Sequence, residues 1–492
     1  MTLGQIPIDH PTTARGAVGD EYAELAAFFD AFAETEERWR RRNRTYHRFI
    51  RQLYRFQIAP GARVLEVGCG SGDLVAATDA DVGVGIDVSA RMIDLARSRH
   101  PDLRFERAAG EQFDLGETFD YVVLSDLLPF VHDLVALLER VRAHCHPRTR
   151  VIIHSYSRLW KPVIRLAELL RLKPQKPIRN WVAPEDVRNL LDLADFEVVS
   201  ETRRILMPKH VPLLTTFLNG FVANLWPLNH LCLTYWIAAR PRSHSTEDQS
   251  VSVVCPCRNE RGNIVDVIDR LPELGATTEL IFVEGGSTDG TRDEIVRQID
   301  AHPEREIRLV PQPGKGKGDA VRAGFAAARN DLLMILDGDL SVRPEDLAKF
   351  YRASVEGRGE LVNGSRLVYD MEPGAMRFLN TIGNKVFSGL LKSIMRQRVK
   401  DTLCGTKVLR RSDYEQLAAG RAYFGDFDPF GDFDLLLGAA RLNLKIVDLP
   451  VRYQPRTYGT TNISRWHHGW LLLRMTAFAF WKFRVAVLRP GR

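Results

Sequence analysis

The stretch VLEVGCGSG, from Val64 to Gly72, has the pattern of an apolar β-strand that runs directly into a glycine-rich turn. Glycines in such a turn let the backbone approach a ligand and adopt conformations that are closed to other residues. Their spacing is G-x-G-x-G, which differs from the G-x-G-x-x-G pattern that binds dinucleotides. From there to RVIIHSY at Arg150–Tyr156, strand-like and helix-like segments alternate. This alternation predicts an α/β fold with a doubly wound parallel sheet.

Two carboxylates accompany the glycine turn. Asp87 ends the next predicted strand, where a carboxylate can accept hydrogen bonds from the hydroxyls of a ribose. Glu66 lies inside the first strand, below the turn, where it would either receive a cationic ligand or orient the glycines. The sequence therefore predicts a site for a nucleoside cofactor at the end of this strand.

The motifs VLEVGCGSG, GIDVS and FDYVVLSD resemble the core motifs of class I S-adenosylmethionine-dependent methyltransferases, over roughly residues 46–240. The resemblance implies a Rossmann-like domain that binds S-adenosylmethionine over the glycine turn, with the ribose held by Asp87. Many relatives recognise the adenine amine with an acidic residue, and this chain offers Glu111 next to that position, with backbone groups as the alternative. The predicted cofactor contacts are Glu66, Gly68, Gly70, Gly72, Asp87, Glu111 and Ser125.

The methyl acceptor site has several candidate residues. Ser125 and Asp126 end the strand that would face the transferred methyl group, although such a pair serves equally well as a helix cap. His154 and Tyr156 end a later strand, where they would contact an acceptor or satisfy a hydrogen bond in the core. Seven arginines between Arg38 and Arg51 cover most of a helix surface. They indicate a solvated face, with a docking patch for an acidic substrate as the alternative.

A second signature, CPCRNE…VEGGSTDGT…ILDGD, lies between Cys255 and Asp339. Asp337 and Asp339 follow the apolar strand LLMIL with one residue between them. Two such carboxylates repel each other unless a divalent cation neutralises them, and Mg²⁺ or Mn²⁺ held there can bridge a diphosphate. The loop GKGKG at residues 314–318 adds flexible backbone and two lysines near the expected phosphates.

Together with GKGKGDAVRAGF, VNGSR, KDTLCGTKVLRR and LPVRYQPRTYGTTNISRW, these motifs resemble family 2 inverting glycosyltransferases with a GT-A fold, especially the dolichyl- and polyprenyl-phosphate sugar synthases. The resemblance implies a nucleotide-sugar donor and a polyprenyl-phosphate or glycan acceptor. It places the metal and diphosphate on Asp337 and Asp339, and a phosphate on Arg366. Relatives usually carry paired aspartates where this chain has Glu284 and Gly285, so the nucleobase stays open. The predicted donor contacts are Pro256, Asn259, Glu260, Glu284, Asp289, Lys315 and Asp337.

Four aspartates within FGDFDPFGDFDLLLGAA lie near the position where many relatives keep an acceptor-side acid. A hydroxyl acceptor would need a general base, for which Asp432 is the first candidate and Asp434 the second. A phosphate acceptor is already ionised and needs none. Some of the four, which include Asp426 and Asp428, would instead cap the following helix. The predicted catalytic residues are Asp339, Asp432, Asp434 and Arg366.

The segment from Trp466 to Leu488 mixes aromatic and basic residues. This composition suits a helix that lies at a bilayer surface, and equally a helix that packs against the second domain. The segment lacks the run of about 20 mostly uncharged residues that a transmembrane helix needs.

Length and composition set the remaining expectations. The 492 residues exceed what one hydrophobic core usually organises. We predict a tail at 1–20, a methyltransferase domain at 21–240, a linker at 241–249 and a glycosyltransferase domain at 250–492. A net charge of +6 favours partners that carry phosphate. No base-stacking motif is recognisable, so we expect no nucleic acid. Scattered cysteines and an N-terminus without a secretory signal indicate a cytoplasmic protein, free or held at the inner face of the membrane.

The combined prediction is a bifunctional transferase of glycoconjugate or cell-envelope synthesis, with S-adenosylmethionine and Mg²⁺ or Mn²⁺ as cofactors. The alternative is a glycosyltransferase whose methyltransferase-like domain only binds the cofactor or docks a partner.

Overall fold

The computed structural model describes residues 22–177, 180–242, 248–368, 378–423, 431–456, 458 and 465–488, without the side chains of residues 378–385 and 465–469. The chain forms two units, Met1–Pro241 and Arg242–Arg492, which we call unit 1 and unit 2. The boundary between them falls inside the predicted linker at 241–249. The predicted tail at 1–20 and residues 243–247 of the linker lie outside the described residues.

Unit 1 is built on a seven-stranded sheet with the strand order β3-β2-β1-β4-β5-β7-β6. The strands are β1 (Arg63–Val67), β2 (Val82–Asp87), β3 (Arg104–Arg107), β4 (Phe119–Ser125), β5 (Cys145–Tyr156), β6 (Phe196–Arg204) and β7 (Thr234–Pro241). The strands from β3 to β5 pair in parallel, as predicted, but β7 runs antiparallel to both β5 and β6. The direction reverses because the chain leaves β6 and enters β7 at the same edge of the sheet.

Eight α-helices complete unit 1 in the part of the chain that is described. They are α1 (Ala23–Ala33), α2 (Glu36–Arg42), α3 (Arg44–Gln57), α4 (Ala90–Arg99), α5 (Leu134–Ala143), α6 (Lys161–Leu169), α7 (Pro184–Leu193) and α8 (Leu214–Gly220). Single 3₁₀ turns lie at Val75–Ala77, Leu128–Phe130, Arg158–Trp160, Val222–Asn224 and Leu228–Leu231. Helix α3 buries Tyr46, Phe49, Ile50, Leu53 and Tyr54, whose spacing of three and four residues forms one apolar face.

The central strands of unit 1 are buried along their length and carry polar residues at their carboxyl ends. Residues such as Leu65, Ile86 and Val122 are fully buried within the central strands. Burial of each side chain of this kind stabilises the fold by about 1.5–3 kcal/mol. Asp87 and Ser125 are the last residues of β2 and β4, where these strands leave the core. Polar side chains therefore gather at the carboxyl edge of the parallel strands.

Unit 2 also has a seven-stranded mixed sheet, with the order β10-β9-β8-β11-β13-β12-β14. The strands are β8 (Val251–Cys257), β9 (Thr278–Glu284), β10 (Glu306–Pro311), β11 (Leu332–Ile335), β12 (Leu361–Ser365), β13 (Lys407–Arg410) and β14 (Ile446–Pro450). Among the strands of the described residues of unit 2, only β13 runs antiparallel to its neighbours, β11 and β12. The predicted α/β class with two domains is confirmed.

The helices of unit 2 lie around this sheet. They are α9 (Ile264–Arg270), α10 (Thr291–Ala301), α11 (Lys317–Ala327), α12 (Leu347–Val355), α13 (Phe378–Met395), α14 (Arg411–Ala419), α15 (Asp432–Arg441) and α16 (Arg465–Phe480). A π-helical turn follows at Trp481–Val485, and 3₁₀ turns lie at Arg261–Asn263, Pro344–Asp346, Arg421–Tyr423 and Ala486–Leu488. Because β9, β8 and β11 are neighbours, the residues that follow their carboxyl ends meet at one edge.

Candidate active sites

The glycine turn of unit 1 has a left-handed backbone. The φ angles are +76° at Gly68, +51° at Gly70 and +74° at Gly72, which residues with a side chain rarely adopt. A Cβ atom on Gly72 would lie 2.6 Å from the Phe105 ring, whereas the space beside Gly70 is open. Gly72 is therefore required for packing, and Gly70 leaves room beside the turn.

Asp87 and Glu66 hold the chain on either side of this turn. Asp87 accepts hydrogen bonds from the backbone N–H groups of Gly70 and Ser89, both at 2.9 Å. Glu66 is buried and accepts one from Val75 N–H at 3.0 Å. Burial raises the pKa of both carboxyl groups. Glu66 thus orients the chain that follows the turn. Asp87 keeps lone pairs that could accept further hydrogen bonds, which fits the ribose-binding role predicted for it.

A cavity of about 260 Å³ opens beside the turn. Six of the seven predicted cofactor contacts line it, namely Glu66, Gly68, Gly70, Asp87, Glu111 and Ser125. Residues of α1–α3 and one lysine add further walls: Leu25, Phe29, Phe32, Arg40, Tyr46, His47 and Lys176. A concave site with an apolar lining and a few converging polar groups is typical of a small-molecule cofactor site.

Glu111 lies at the wall of the cavity between α1 and α5. Its Oε1 accepts hydrogen bonds from the Tyr22 hydroxyl, from His132 N–H at 3.0 Å and from Asp133 N–H at 3.1 Å. Its Oε2 is buried and has no hydrogen-bond partner among the described residues. An unpartnered acceptor in a cavity wall fits the amine of an adenine, which is the role predicted for this residue.

The predicted acceptor side contains a buried polar cluster. Tyr46 donates a hydrogen bond to Asp126 Oδ2 at 3.0 Å and lies 3.4 Å from His154 Nε2. Ser125 Oγ lies 3.3 Å from His154 Nδ1. Burial lowers the pKa of His154, which favours a neutral ring. The Tyr156 ring stacks on Tyr46 with centroids 6.0 Å apart. Asp126 therefore meets Tyr46 of α3, and it caps no helix in the described residues.

Two lysines stand beside this cluster. Lys176 Nζ lies 5.4–5.7 Å from the ring centroids of Phe29, Phe32 and Phe130. Lys173 Nζ lies 4.1 Å from the Tyr156 ring. Burial lowers the pKa of Lys173 to about 8 and also lowers that of Lys176. Aromatic rings and two lysines therefore lie at the predicted acceptor side.

In unit 2, the loops after β8 and β9 are tied together by predicted donor contacts. Asn259 Oδ1 accepts a hydrogen bond from Thr288 N–H at 2.9 Å. Asp289 accepts one from Arg261 N–H at 3.2 Å. Glu284 accepts one from the N–H of Ser287 at 2.5 Å; although burial opposes ionisation, the hydrogen bonds from Ser287 lower the pKa of Glu284. These contacts fix the edge where a nucleotide is expected.

Each aspartate of the Asp-Gly-Asp motif is paired with a cation from elsewhere in the chain. Asp337 pairs with Lys317 at the start of α11. Burial disfavours the Asp337 carboxylate, but the Lys317 ammonium outweighs it and lowers the pKa of Asp337. Asp339 Oδ2 lies 2.8 Å from Arg456 Nη2, and Arg456 also lies 3.4 Å from Glu260 Oε1. Three acidic groups and two cations therefore form one charged network.

The carboxylate oxygens of Asp337 and Asp339 fit Mg²⁺ or Mn²⁺ bound together with a diphosphate. No group of three or more His, Cys, Asp or Glu side chains with metal-binding geometry occurs in the described residues. Mg²⁺ usually takes one or two carboxylates and fills its other positions with phosphate oxygens and water. The side chains of Asp337 and Asp339 supply oxygens of that kind, and Lys317 and Arg456 now balance their charge.

The other predicted catalytic residues are ion-paired as well. The Arg366 guanidinium donates two hydrogen bonds to Asp401, at 2.7 and 2.9 Å, and this carboxylate raises the pKa of Arg366 against the effect of burial. Asp432 accepts a hydrogen bond from the buried Lys407 ammonium at 2.6 Å. Asp434 accepts one from Arg421 at 2.7 Å. Asp426 and Asp428 lie outside the described residues.

The remaining predicted contacts are less central. Lys315 is exposed, and its neighbour Lys317 is the lysine of the loop that reaches Asp337. Pro256 lies in β8 opposite Val283, and a Cβ atom on Gly338 would lie 3.2 Å from its carbonyl oxygen. Pro256 therefore shapes the backbone beside the Asp-Gly-Asp motif.

Several residues of the sites were missed in the sequence because their partners are distant. Tyr46 lies 80 positions from Asp126. Arg456 lies 196 positions from Glu260. A Cβ atom on Gly405 would overlap the Lys317 ammonium and the Asp337 carboxylate, so a larger residue there would displace the ends of these two side chains. The quoted motifs contain Gly405 and Arg456, but their spacing carries no sign of these contacts.

The C-terminal segment packs mainly within unit 2. Leu472, Met475 and Ala479 of α16 are buried, and the guanidinium of the buried Arg484 donates hydrogen bonds to the carbonyls of Ser393 and Ile394 at 2.6 and 2.7 Å. Packing against the second domain, one of the two predicted roles, accounts for these side chains. No helix in the described residues is long and apolar enough to cross a membrane.

Comparison with known proteins assigns a family to each half of the chain. Residues 38–201 match a methyltransferase domain model, and residues 252–418 match the model of glycosyl transferase family 2. The glycosyltransferase AglJ of Haloferax volcanii is 30% identical over 225 residues, which cover 45% of this chain and 69% of that protein.

Two solved structures are each similar to part of the chain. A S-adenosylmethionine-dependent methyltransferase of Thermotoga maritima has a TM-score of 0.35 and 18% identity, and the match covers 44% of this chain and 99% of that one. Glucosyl-3-phosphoglycerate synthase of Mycobacterium tuberculosis, solved with uridine diphosphate, has a TM-score of 0.36 and 21% identity, and the match covers 48% of this chain and 80% of that one. The family assignment rests on the sequence matches: the chain belongs to glycosyl transferase family 2 through its C-terminal half and carries a methyltransferase domain in its N-terminal half.

Proposed function

We propose that this chain is a bifunctional transferase. Unit 1 would transfer a methyl group from S-adenosylmethionine, and unit 2 would transfer a sugar from a nucleotide sugar, with inversion and with Mg²⁺ or Mn²⁺. The acceptor of the sugar would be a polyprenyl phosphate or, as the alternative, a glycan hydroxyl. The observation that carries the first activity is the cavity between the glycine turn, Asp87 and Glu111. The second rests on Asp337 and Asp339, which lie just after β11, each beside a cation.

In unit 1, each part of S-adenosylmethionine has a matching group in the cavity. Asp87 would accept hydrogen bonds from the ribose, and the unpartnered Oε2 of Glu111 would accept one from the adenine amine. The backbone at Gly68 and Gly70 would border the methionine part. When bound, S-adenosylmethionine supplies an electrophilic methyl group, so positioning of the acceptor provides most of the catalysis.

The buried polar cluster would orient the methyl acceptor. Asp126 Oδ1 is buried without a hydrogen-bond partner among the described residues, and Tyr46 holds the other oxygen. Asp126 would accept the proton that an acceptor hydroxyl or amine loses, and the hydrogen bond from the Tyr46 hydroxyl would keep the carboxylate in place.

Calorimetric titration with S-adenosylmethionine tests unit 1. The Asp87→Ala variant should raise the dissociation constant by about 10- to 100-fold, because a hydrogen bond to a charged group contributes about 1.5–3 kcal/mol. Asp94→Ala, at an exposed position on α4, is the matched control. Absence of binding by the unmodified protein would remove the methyltransferase proposal. Binding without turnover on any acceptor would support a unit that only binds the cofactor or docks a partner.

In unit 2, Asp337 and Asp339 would hold the metal together with the donor diphosphate. A divalent cation supplies positive charge that stabilises the departing diphosphate. Lys317 and Arg456 lie beside these carboxylates, so they would turn to the phosphate oxygens when the metal binds the aspartates. The acceptor would then displace the diphosphate from the opposite side of the anomeric carbon.

Ion pairs at the acceptor-side aspartates favour a phosphate acceptor. The described aspartates of the cluster, Asp432 and Asp434, are bound to Lys407 and Arg421. In each side chain a carboxylate oxygen already accepts a hydrogen bond from that cation, which competes with an acceptor hydroxyl for the carboxylate. A phosphate oxygen is already ionised and needs no base, which supports a polyprenyl phosphate over a glycan hydroxyl.

Hydrolysis of a panel of sugar nucleotides with Mn²⁺ tests unit 2. With the preferred donor, Asp339→Asn should lower the rate at least about 100-fold, because loss of one oriented electrostatic group costs that much in comparable sites. Asp300→Asn, at an exposed position of α10, is the control. Full activity of Asp339→Asn would contradict the metal assignment.

A further inference from the structure

Exposed apolar side chains are concentrated in two segments of unit 1. Six large ones lie within Arg158–Leu172, around α6, and nine lie within Val211–Leu231, around α8. All other described residues together expose only nine more. Leu213 is 88% exposed, Trp226 81% and Leu169 74%. We call the two segments the apolar edge. A cluster of this size marks an interaction surface.

The two segments are neighbours in the fold. The first follows β5 and the second precedes β7, and these strands pair with each other. Ser157 N–H donates a hydrogen bond to the Leu233 carbonyl at 2.8 Å, and the Trp160 indole donates one to the Leu231 carbonyl at 2.9 Å. The bases of the segments are therefore held side by side at the carboxyl edge of the sheet.

The same edge carries the cavity. Lys176, shortly after the first segment, lines it, and the Asn180 side chain donates a hydrogen bond to the carbonyl of Val131, another lining residue, at 2.7 Å. Before the second segment, the Lys209 ammonium donates a hydrogen bond to the Asn43 side chain at 2.9 Å, between α2 and α3. The apolar edge is thus attached to elements that form the cavity wall.

The surroundings of the apolar edge are cationic. Residues 158–176 contain six lysines and arginines and a single acidic residue, Glu168. Residues 202–246 contain no Asp or Glu. Arg158, Arg165 and Arg171 are exposed between the leucines of the first segment. Apolar side chains interleaved with basic ones match an anionic lipid surface, where acyl chains lie beneath negatively charged headgroups.

We infer that the apolar edge docks unit 1 onto an anionic bilayer. Its leucines and aromatic side chains would enter the boundary between headgroups and acyl chains, and its arginines would lie among the headgroups. Binding would be peripheral, in keeping with the lack of a spanning helix in the described part of the chain. A second copy of the chain is a poorer partner, since two cationic edges would face each other. Docking through unit 1 goes beyond the proposed function and holds whichever acceptor unit 2 uses.

Flotation of the full chain with vesicles tests the docking. We expect binding to vesicles of equimolar phosphatidylcholine and phosphatidylglycerol. The triple variant Leu169→Gln, Leu213→Asn, Trp226→Gln should reduce the bound fraction at least about tenfold, because three apolar anchors are lost. Arg158→Gln, Arg165→Gln and Arg171→Gln together should weaken binding by about fivefold per residue on these vesicles. On pure phosphatidylcholine the arginine variant should behave like the unmodified protein.

A matched control removes exposed apolar groups elsewhere. Val265→Gln with Val296→Gln changes two exposed valines of unit 2 and should leave flotation unchanged. Equal flotation of the triple variant and the unmodified protein would overturn the docking surface. Failure of the unmodified protein to float would also overturn it, and a dimer in sedimentation equilibrium that the triple variant dissociates would identify a second copy as the partner.

Calorimetric titration with S-adenosylmethionine separates this inference from the proposed function. The triple variant should bind the cofactor as the unmodified protein does, which shows that unit 1 is folded. Loss of flotation with intact cofactor binding supports the apolar edge. Normal flotation of an unmodified protein that binds no cofactor would leave the apolar edge standing and remove the methyltransferase proposal.

Discussion

At the scale of single residues, unit 2 holds its acidic groups in balance with cations. Asp339 and Glu260 share Arg456, and Asp337 has Lys317. Without these cations, the carboxylates gathered at one edge would repel one another more strongly. Of these three acidic residues, Glu260 has its negative charge balanced least, because the shared Arg456 guanidinium lies 2.8 Å from Asp339 but 3.4 Å from Glu260.

Glu260 should make donor binding depend on pH near neutrality. Burial raises the pKa of Glu260 to about 7, an effect that Arg456 opposes and Asp339 reinforces. The side chain is neutral below that pH and anionic above it. A nucleoside diphosphate is itself anionic, so its dissociation constant should rise by up to about tenfold from about pH 6 to pH 8, as expected for one proton. Titration calorimetry across this range measures the slope.

The Glu260→Gln variant should flatten this pH profile, and Glu273→Gln, at an exposed position, should keep it. The raised pKa of Glu260 also affects stability. Because the pKa of this carboxyl rises from 4.5 to about 7 on folding, its contribution to the free energy of unfolding decreases as the pH rises between these two values. An unchanged slope in Glu260→Gln would assign the titration to another group.

At the scale of elements, two glycines of the same turn have different roles: Gly72 is needed for packing, and Gly70 leaves room beside the ligand site. Gly70→Ala places a Cβ atom in open space, and Gly72→Ala drives one into the Phe105 ring. Both have a positive φ, which alone costs about 1 kcal/mol for a residue with a side chain. We expect Gly72→Ala to lose about 2–4 kcal/mol of unfolding free energy in urea. Gly70→Ala should lose about 1 kcal/mol and bind S-adenosylmethionine more weakly. Equal losses of stability would contradict the assigned packing.

Helix α15 begins with a buried ion pair that links it to β13. Asp432 is 5% exposed and Lys407 is fully buried, with Oδ1 and Nζ 2.6 Å apart. Removal of one partner leaves the other charge buried, so Asp432→Asn or Lys407→Met should each destabilise unit 2 by about 3–5 kcal/mol. The double variant should lose less than the sum, as measured by urea unfolding, because no charge then stays unpaired. Strict additivity would show that the two groups are not coupled.

Sugar transfer by the double variant of Asp432 and Lys407 tests whether the acceptor is a phosphate or a hydroxyl. We expect it to retain sugar transfer to a polyprenyl phosphate, since an ionised acceptor needs no base. Complete loss of transfer in a folded double variant would instead support Asp432 as the general base for a hydroxyl acceptor.

At the scale of the whole molecule, local sequence patterns were sufficient to predict the fold class, whereas contacts between distant residues could not be predicted. Two alternating patterns of strands and helices, with motifs at the strand ends, were sufficient to predict two α/β domains. Strand ends and glycine turns are determined by neighbouring residues, so they can be recognised in the sequence. The reversal of β7 was not predictable, since it depends on where the chain re-enters the sheet. The partners of Asp126, Asp337 and Arg366 were also hidden, because tertiary packing joins residues that are far apart in the sequence.

Two units with separate ligands should respond to those ligands separately in scanning calorimetry. A ligand stabilises only the folded unit that binds it, by about 2.7 kcal/mol at 100 times its dissociation constant. For domains of this size, that corresponds to a rise of about 5–10 °C in the unfolding temperature. S-adenosylmethionine should therefore shift the transition of unit 1, and a nucleoside diphosphate with Mn²⁺ that of unit 2. Asp87→Ala should abolish the first shift and leave the second, and Asp339→Asn should do the reverse. A variant that abolished both shifts would show that the two sites cannot be assigned to separate units in this way.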